Sequence, residues 1–306
     1  MLSGIAGGNA GFLNDLNQIE NRINQTTQQL SSGIRVNKAS DDPGAVASIL
    51  DYQNQIDQIT QVQTNLQLAS TVAQTADTGL QSASSLMNQL MSIATHGASS
   101  TATANDRTTL GAQVQNIEQQ LVAIANTTLQ GRYIFGGDDP NTQPYTFNWA
   151  SPDGVIANNT PTNTQTITSA GGASIIPGLT AQQIFDVQNP PGTPAPGNVF
   201  QAVYSLGQAL LANNQAGVQT ALTSIGAAAT QLAQSNASYG NTETWIQQAN
   251  QDASERLTNL QGLLSGARDT DIAAAATQLA TDQTALQAAL SAHASLNQKS
   301  LFSYLG

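Results

Sequence analysis

The sequence contains no cysteine, so disulfide bonds and thiolate metal sites are excluded, and cysteine usage does not indicate a redox compartment. Charged residues are also scarce: they form 9% of the 306 residues, against about 25% in a typical soluble domain. Gln, Asn, Ser, Thr and Ala take their place. Because a surface with so little charge lets copies of one chain touch without strong repulsion, this composition favours a self-packing subunit.

Cations are the rarest charges. The eight Lys and Arg residues are scattered singly in a chain with a net charge of −11, which excludes a nucleic-acid groove or a site for an anionic membrane surface. No window approaches about 18 uninterrupted apolar residues, so we expect no membrane insertion. The opening stretch MLSGIAGGNAGFLNDL lacks a basic region and an apolar core. We therefore expect no Sec-type signal, and another export route if the protein leaves the cell.

Histidine is nearly absent as well. His96 and His293 are the only two, and they lie on separate segments, so neither a histidine-based metal cluster nor a catalytic triad is evident. We interpret His293 as a packed side chain, and GGDDPN at 136–141 as a turn rather than a calcium loop. Trp149 and Trp245 are interpreted as local core anchors rather than a ligand platform. The sequence thus predicts no active site, no metal and no cofactor.

The sequence is rich in helical periodicity. Near the N-terminus, apolar residues recur at alternating steps of four and three, as in the seam of a coiled coil: Phe12, Leu16, Ile19, Ile23 and Leu30, with Thr26 in the remaining slot. Gly33 is suited to the left-handed position that ends a helix. Asp42 and Pro43 are suited to the cap and the first residue of the next helix. Four charged residues, Arg35, Lys38, Asp41 and Asp42, therefore lie at a predicted break between two helices.

Further helices are predicted before and after a proline-rich segment in the middle of the chain. Heptads continue from Pro43 to Ile93, and another helix runs through Ile124. Nine of the ten prolines then fall between residues 140 and 196, where RYIFGG, YTFNWA and TQTITS indicate short strands in and beside the segment. Helical periodicity resumes at Phe200 and continues through Leu264. After a phase slip near GARDTD, a last seam comprises Ile272, Ala275, Leu279, Leu286, Ala289 and Leu296.

These patterns predict a mainly α protein (α+β overall): a long helical rod of paired N- and C-terminal coiled-coil helices with a central β-rich insertion. Pairing the terminal helices is the simplest way to cover their apolar stripes. The predicted segments are the terminal coiled-coil helices at 1–42 and 268–306, the two halves of a helical rod domain at 43–135 and 199–267, and the insertion at 136–198. Because the insertion lies outside both seams, we expect a short linker in place of residues 140–196 to leave assembly intact.

Three stretches point to a known family. QLSSGIRVNKASDDPGA, at 29–45, resembles the N-terminal signature of the flagellin superfamily, the helical proteins of the outer axial structure of the bacterial flagellum. GRYIFGGDDPNTQPY, at 131–145, is more similar to the branch of this superfamily that joins the hook to the filament. The C-terminal stretch 269–306, with its SLFSYLG ending, is also more similar to that branch. The resemblance covers about 1–145 and 240–306.

The resemblance implies a structural, non-enzymatic subunit of the hook–filament junction, exported through the flagellar type III apparatus and located outside the cell. It implies a homo-oligomeric ring that contacts the first hook-associated protein and flagellin, and a cytoplasmic export chaperone that binds the chain beforehand. A filament flagellin remains the alternative within the superfamily. A secreted adhesin or binding module in the proline-rich middle is an alternative of another class.

The resemblance also assigns a role to the charged break, as the joint between the terminal coiled coil and an outer helical domain. Because the backbone of a partly extended joint needs polar partners, we expect Arg35 and Lys38 to reach Asp41, Asp42 or nearby carbonyls. The candidate joint or subunit-interface residues are Leu16, Ile19, Ile23, Leu30, Gly33, Arg35, Lys38, Asp41, Asp42, Leu279, Leu286, Leu296, Leu301, Phe302, Tyr304 and Leu305.

Overall fold

A computed structural model describes residues 2–161, 164, 166–170, 172, 174–176 and 178–305. Within these ranges, side chains are described from residue 11 to residue 295, except those of residues 167 and 175. The described chain is mainly α, as predicted. Its helices are α1 (Leu2–Ser32), α2 (Pro43–Ala98), α3 (Ala104–Ala125), α4 (Ala181–Phe185), α5 (Val199–Leu211), α6 (Gln215–Arg268) and α7 (Ile272–Leu305). None of the helices in the described residues is long and apolar enough to cross a membrane.

The strands are short and form antiparallel pairs, in or beside the segment where the prolines predict them. β1 (Thr128–Leu129) pairs with β2 (Arg132–Tyr133), β3 (Tyr145–Phe147) with β4 (Val155–Ala157), and β5 (Ile167–Thr168) with β6 (Ser174–Ile175). In the longest pair, Tyr145 lies opposite Ala157 and Phe147 opposite Val155.

Local side-chain caps decide where several helices begin. At the start of α3, the Thr103 hydroxyl accepts a hydrogen bond from the Asp106 N–H, and the Asp106 carboxylate accepts one from the Thr103 N–H. This reciprocal pair is a capping box. At the start of α5, the Asn198 side chain accepts from the Gln201 N–H at 2.9 Å. Each cap satisfies a backbone donor that the first turn of a helix leaves without a partner.

The chain forms two compact units. One comprises Met1–Gln58 and Arg256–Gly306, and the other comprises Ile59–Glu255. We call them the terminal unit and the central unit. The five segments predicted from the sequence divide the chain by expected role in assembly, and that division stays a prediction.

The core of the central unit is built by α2, α3, α5 and α6 together. Each helix contributes fully buried apolar side chains, among them Leu80, Val114, Val203 and Ile225. The sequence periodicity of these helices is therefore explained by one shared core.

The proline-rich segment contributes to this same core. Tyr145, Ile184 and Phe185 are almost fully buried in it, and the Phe185 ring stacks on that of Phe200 from α5 with 5.8 Å between centroids. The expectation that a short linker in place of residues 140–196 leaves assembly intact stays a prediction, and these core contacts count against it. Prolines prevent a long helix here, but they do not prevent short strands and turns from burying large side chains.

The periodicity between Phe200 and Leu264 belongs to two helices rather than to one continuous helix. Asn213 adopts the left-handed conformation, with φ 51°, and the Asn214 side chain accepts a hydrogen bond from the Gly217 N–H at 3.0 Å. A turn therefore separates α5 from α6. Asparagine tolerates this conformation better than other non-glycine residues, which was the available signal for the turn.

Arg107 connects this turn to the break between α2 and α3 by hydrogen bonds. It is buried, and its guanidinium donates to the Gly97 carbonyl at 2.8 Å, to the Ser99 carbonyl at 3.0 Å and to the Asn213 side-chain oxygen at 2.7 Å. A cation is favourable beside carbonyls at the C-terminal end of a helix. One side chain thus satisfies acceptors from two separate chain breaks.

Glu118 of α3 is a buried acid that no sequence pattern marks. It is 0% exposed, and neither of its carboxyl oxygens has a hydrogen-bond partner among the described residues. Gly154, at φ 78°, packs so closely on this carboxyl that a side chain there would clash with it. Burial, together with the nearby Asp153, raises the pKa of Glu118 to about 9. The side chain is therefore neutral near pH 7.

Candidate assembly joint and terminal helix pair

Two chain breaks of the terminal unit are hydrogen-bonded to each other. Ile34, between α1 and α2, forms an antiparallel bridge with Asp269, between α6 and α7. The Arg35 N–H donates to the Arg268 carbonyl at 2.8 Å. We call these two segments, residues 33–42 and 268–271, the joint. The partly extended backbone of the first segment thus finds partners in a segment more than two hundred residues away in the chain.

Gly33 ends α1 in the predicted way. The helix ends at Ser32, and Gly33 adopts φ 71° while its N–H donates to the Gln29 carbonyl at 2.8 Å. A Cβ at this position would meet nothing within 4 Å. Glycine is therefore needed here for its backbone conformation and not for space.

Arg35 and Asp42 connect the first segment of the joint to α6 and to α2. Nη1 of Arg35 lies 2.9 Å from Oδ2 of Asp42, and Nη2 donates to the Ala267 carbonyl in the last turn of α6 at 2.7 Å. Oδ1 of Asp42 also accepts from the Ala45 N–H at 3.1 Å, which caps α2 in front of Pro43 as predicted. The hydrogen bond from Arg35, and then that from Ala45, lower the pKa of the Asp42 carboxyl. One carboxylate thus caps a helix and orients a cation.

Asp41 shapes the backbone between these contacts. Its Oδ2 accepts from the N–H groups of Asn37 and Lys38 at 2.9 and 2.8 Å, and the Asn37 amide donates to the Ile34 carbonyl at 2.8 Å. Lys38 takes part through its backbone, because its ammonium forms no ion pair with any described residue. Charge is concentrated at this break because the turn needs acceptors for its N–H groups, and aspartates supply them.

A small apolar cluster supports the joint. Val36, Ile49 and Leu264 are buried against one another, and Tyr52 and Ile56 pack around them. Since these residues come from the first segment of the joint, from α2 and from α6, the cluster joins three parts of the terminal unit.

The terminal helices α1 and α7 pack on each other in opposite directions. Phe12 contacts His293 and Arg22 contacts Asp282, so residue numbers fall along one helix as they rise along the other. Six leucine and isoleucine residues of the predicted seam are half-buried: Leu16, Ile19, Ile23 and Leu30 on α1, and Leu279 and Leu286 on α7. Within a single chain, the helix pair therefore covers its apolar stripe only in part.

A polar layer interrupts this seam. Asp282 is 2% exposed; its Oδ1 lies 3.2 Å from Nη2 of Arg22, and its Oδ2 accepts from the Gln278 amide at 3.1 Å. These hydrogen bonds, Gln278 first, lower the pKa of Asp282. The sequence contained a signal for this layer, because position 282 is the seam slot left empty between Leu279 and Leu286.

An aromatic contact lies further along the same seam. The ring of Phe12 stacks on that of His293, with 4.1 Å between centroids and an angle of 15° between the planes. The interpretation of His293 as a packed side chain is therefore confirmed.

Other sequence predictions in this unit have different outcomes. Ile272, placed on the seam by its spacing, is 61% exposed, because it is the first residue of α7 and precedes the first buried seam position at Ala275. The remaining predicted interface residues lie outside the residues whose side chains are described: Leu296, Leu301, Phe302, Tyr304 and Leu305.

The structure gathers no catalytic constellation in the part of the chain that it describes. No three His, Cys, Asp or Glu side chains there are placed to hold a metal ion, and His96 and His293 belong to different units. The geometry of the joint and of the helix pair is suited to backbone pairing, helix capping and apolar packing.

The two tryptophans differ from each other. Trp149 is partly buried against the core, 5.0 Å from the Tyr204 ring, as an anchor would be. Trp245 is 64% exposed, so its interpretation as a core anchor is wrong. The buried face of α6 passes through Ile246 and Ala249, and Trp245 lies beside that face instead of on it.

Comparison with known proteins identifies the family of this chain. The N-terminal helical region of bacterial flagellin matches residues 10–139, and the C-terminal helical region matches residues 222–305. The chain belongs to the flagellin family. Both segments of the joint, and most of the α1–α7 pair, lie within these two matched regions.

Individual relatives refine this placement. The flagellar hook-associated protein 3 of Escherichia coli strain K12 is 26% identical over 299 residues, which cover 90% of each chain. A flagellin of Clostridium tyrobutyricum is 29% identical over 116 residues, so the match spans 38% of this chain and only 31% of that flagellin. The match to the hook-associated protein is nearly end to end, whereas the match to the flagellin is partial.

A solved structure supports the fold. The flagellar junction protein FlgL of Legionella pneumophila is similar over 72% of this chain and 99% of that chain, with a TM-score of 0.56 and 16% identity. The sequence resemblance to the flagellin superfamily, and to its hook-associated branch, is confirmed by these similarities together. The chain is thus a structural component of the bacterial flagellum, in a family of structural proteins rather than enzymes.

Proposed function

We propose that this chain is the subunit that joins the flagellar hook to the filament. The observation that carries this proposal is the alignment with hook-associated protein 3 over 90% of both chains. A filament flagellin is the less favourable alternative, because the matched flagellin aligns over less than a third of its own length.

The joint and the helix pair account for how such a subunit would work. The α1–α7 pair leaves half-buried apolar residues such as Leu16 and Leu286 along its seam, and burying their remaining surface would favour assembly with neighbouring subunits. The joint, through Arg35 and Asp42, would hold the terminal helices at a defined angle while those contacts form. The predicted interface residues, including those after residue 295, belong to this proposal.

The partners follow from the same proposal. Copies of the chain would form a ring that contacts the first hook-associated protein on one side and flagellin on the other. The chain would leave the cell through the flagellar type III apparatus after release from a cytoplasmic chaperone, and would act outside the cell. Contact with two different neighbours, without continued growth on itself, is a requirement of specificity as much as of affinity.

Deleting the gene tests this function. We expect cells that keep their hooks, lose their filaments and release unattached flagellin into the medium, with recovery when the gene is supplied on a plasmid. We also expect the purified protein to remain monomeric or to form small oligomers when seeded with filament fragments. Long filaments grown from the pure protein would contradict the junction function and identify a flagellin.

A further inference from the structure

Trp245 forms one wall of a pocket in the central unit that the proposed assembly role does not use. The pocket has a volume of about 370 Å³. Trp245, Ser238 and Asn241 line it from α6, and Ser174, the first residue of β6, and Ile176, just after β6, line it from the other side. The two large apolar side chains are unusually open: Trp245 is 64% exposed and Ile176 is 51% exposed.

The α6 side of the pocket is a regular helix face that is hydrogen-bonded to the facing segment through Leu179. Ser238, Asn241 and Trp245 are spaced along α6 so that they share one face. Tyr239 is 1% exposed, and its hydroxyl accepts a hydrogen bond from the Leu179 N–H at 3.0 Å. This bond holds the facing chain segment against α6.

Three of the polar side chains that line the pocket are uncharged and available. The side chains of Ser174, Ser238 and Asn241 have no hydrogen-bond partner among the described residues, and no charged residue lines the pocket. An ionic ligand would lack a counter-ion there, and a wholly apolar ligand would leave these polar groups without partners. The lining therefore suits a neutral molecule that has both an apolar face and several hydroxyl groups.

We propose that this pocket binds a neutral saccharide. The C–H face of a sugar ring would stack on the Trp245 indole, while its hydroxyls would hydrogen-bond to the Asn241 amide and the Ser238 hydroxyl. The volume lies in the range of about 300–1,000 Å³ that is typical of small-ligand sites. By contrast, two exposed apolar side chains offer far less than the roughly 800 Å² that each partner buries in a stable protein interface.

Tryptophan fluorescence tests this proposal directly. Because the chain has two tryptophans, full-length protein carrying Trp149→Phe leaves Trp245 as the only reporter. We expect at least one of three probes, chitotriose, maltotriose or a galactotriose, at millimolar concentration to protect Trp245 from acrylamide quenching. Calorimetry on the chain without the Trp149 substitution should detect the same sugar. Binding should be lost in Trp245→Ala and weakened several-fold in Asn241→Ala.

A matched control uses Leu263→Ala, which removes an apolar side chain that is 53% exposed in the terminal unit, and this variant should bind the sugar normally. The proposal is overturned if none of the three sugars protects Trp245, or if Trp245→Ala binds as well as the parent protein. A change of oligomeric state in Trp245→Ala, without any sugar binding by the parent, would also overturn it and would mark the surface as a contact between copies. None of these results bears on the junction function.

Discussion

Among single residues, Glu118 is a buried acid whose ionisation would destabilise the folded chain. Its pKa is about 9 in the folded chain, against an ordinary value of 4.5, because its carboxyl is buried and lies near the charge of Asp153. Neither carboxyl oxygen has a hydrogen-bond partner among the described residues. Between those two pH values the folded chain holds a proton that the unfolded chain releases. The favourable contribution of the neutral acid is therefore complete below about pH 4.5 and declines as pH rises towards 9.

Glu118→Gln should remove this pH dependence. The amide stays neutral, so we expect the free energy of unfolding at pH 7 to rise by about 3 kcal/mol, and the slope between pH 5 and pH 9 to flatten. Urea unfolding across that range measures both effects. Glu255→Gln, at an exposed position on α6, should leave the profile unchanged. Parallel profiles for the parent protein and Glu118→Gln would contradict this account.

Gly33 is required by conformation, so it should respond differently from a nearby helical glycine. Gly33→Ala forces a side chain into φ 71° and should destabilise the terminal unit by about 1 kcal/mol. Gly44→Ala lies in the first turn of α2, where a Cβ would meet only ordinary contacts, and should stabilise by about 0.5–1 kcal/mol. Hydrogen exchange at the Arg35 N–H, whose acceptor is the Arg268 carbonyl, reports on both variants. If both glycine variants changed the exchange rate of the Arg35 N–H in the same direction, this reasoning would be wrong.

At the scale of elements, local signals predicted the helix ends, whereas the partners of those ends could not be predicted. Gly33 and Asp42 act on backbone a few residues away, so their roles could be inferred from short motifs. The Arg268 carbonyl, which Arg35 meets, is distant in the chain, and no local pattern encodes that pairing. The seam position of Asp282 was not predicted for a related reason. A heptad pattern is recognised by its apolar residues, and a polar residue in the pattern can be interpreted only when its partner, here Arg22, is known.

The Arg22–Asp282 pair should fix how α1 and α7 align. Arg22→Asp alone places two acids at one seam layer, and Asp282→Arg alone places two cations there, so each should weaken the helix pair. The double exchange should recover part of the loss. Helicity and its thermal midpoint, followed by circular dichroism for all four proteins, give the coupling between the two sites.

Asp15→Arg, at an exposed position on α1, is the matched control and should have little effect.

The stabilisation by this pair should also depend on pH, because the hydrogen bonds that Asp282 accepts lower its pKa. The contribution of the pair should be complete above the ordinary pKa of the carboxyl and lost as pH falls through the lowered pKa. Additive effects of the two single exchanges would show that the pair does not set the alignment.

At the scale of the whole molecule, the terminal helices could be predicted from the sequence, whereas the packing of the proline-rich segment into the core could not. Periodicity and caps indicated a mainly α chain whose terminal helices pair. The proline-rich segment was predicted to be an insertion because composition reveals only where helices stop. That Tyr145 and Phe185 enter the core of the central unit depends on contacts with α5, which no sequence pattern specifies.

Replacing residues 140–196 with a Gly/Ser linker should therefore unfold much of the central unit. The replaced segment includes Tyr145, Val155, Ile184 and Phe185, and each buried side chain of this size is worth about 1.5–3 kcal/mol. Near-ultraviolet circular dichroism and thermal unfolding should show loss of the cooperative transition. Substituting only the exposed residues 190–193 with Gly and Ser should preserve it. A cooperative transition that survives the large replacement would show that this segment is independent of the core.

The central claim is that this chain is a junction subunit, and its position on the flagellum tests that claim most directly. Isolated flagella can be labelled with antibodies against the full-length protein and a gold conjugate, with flagella from a deletion strain as the control. The account predicts gold at a single point between hook and filament. Gold along the whole filament, or flagella without any gold, would contradict it.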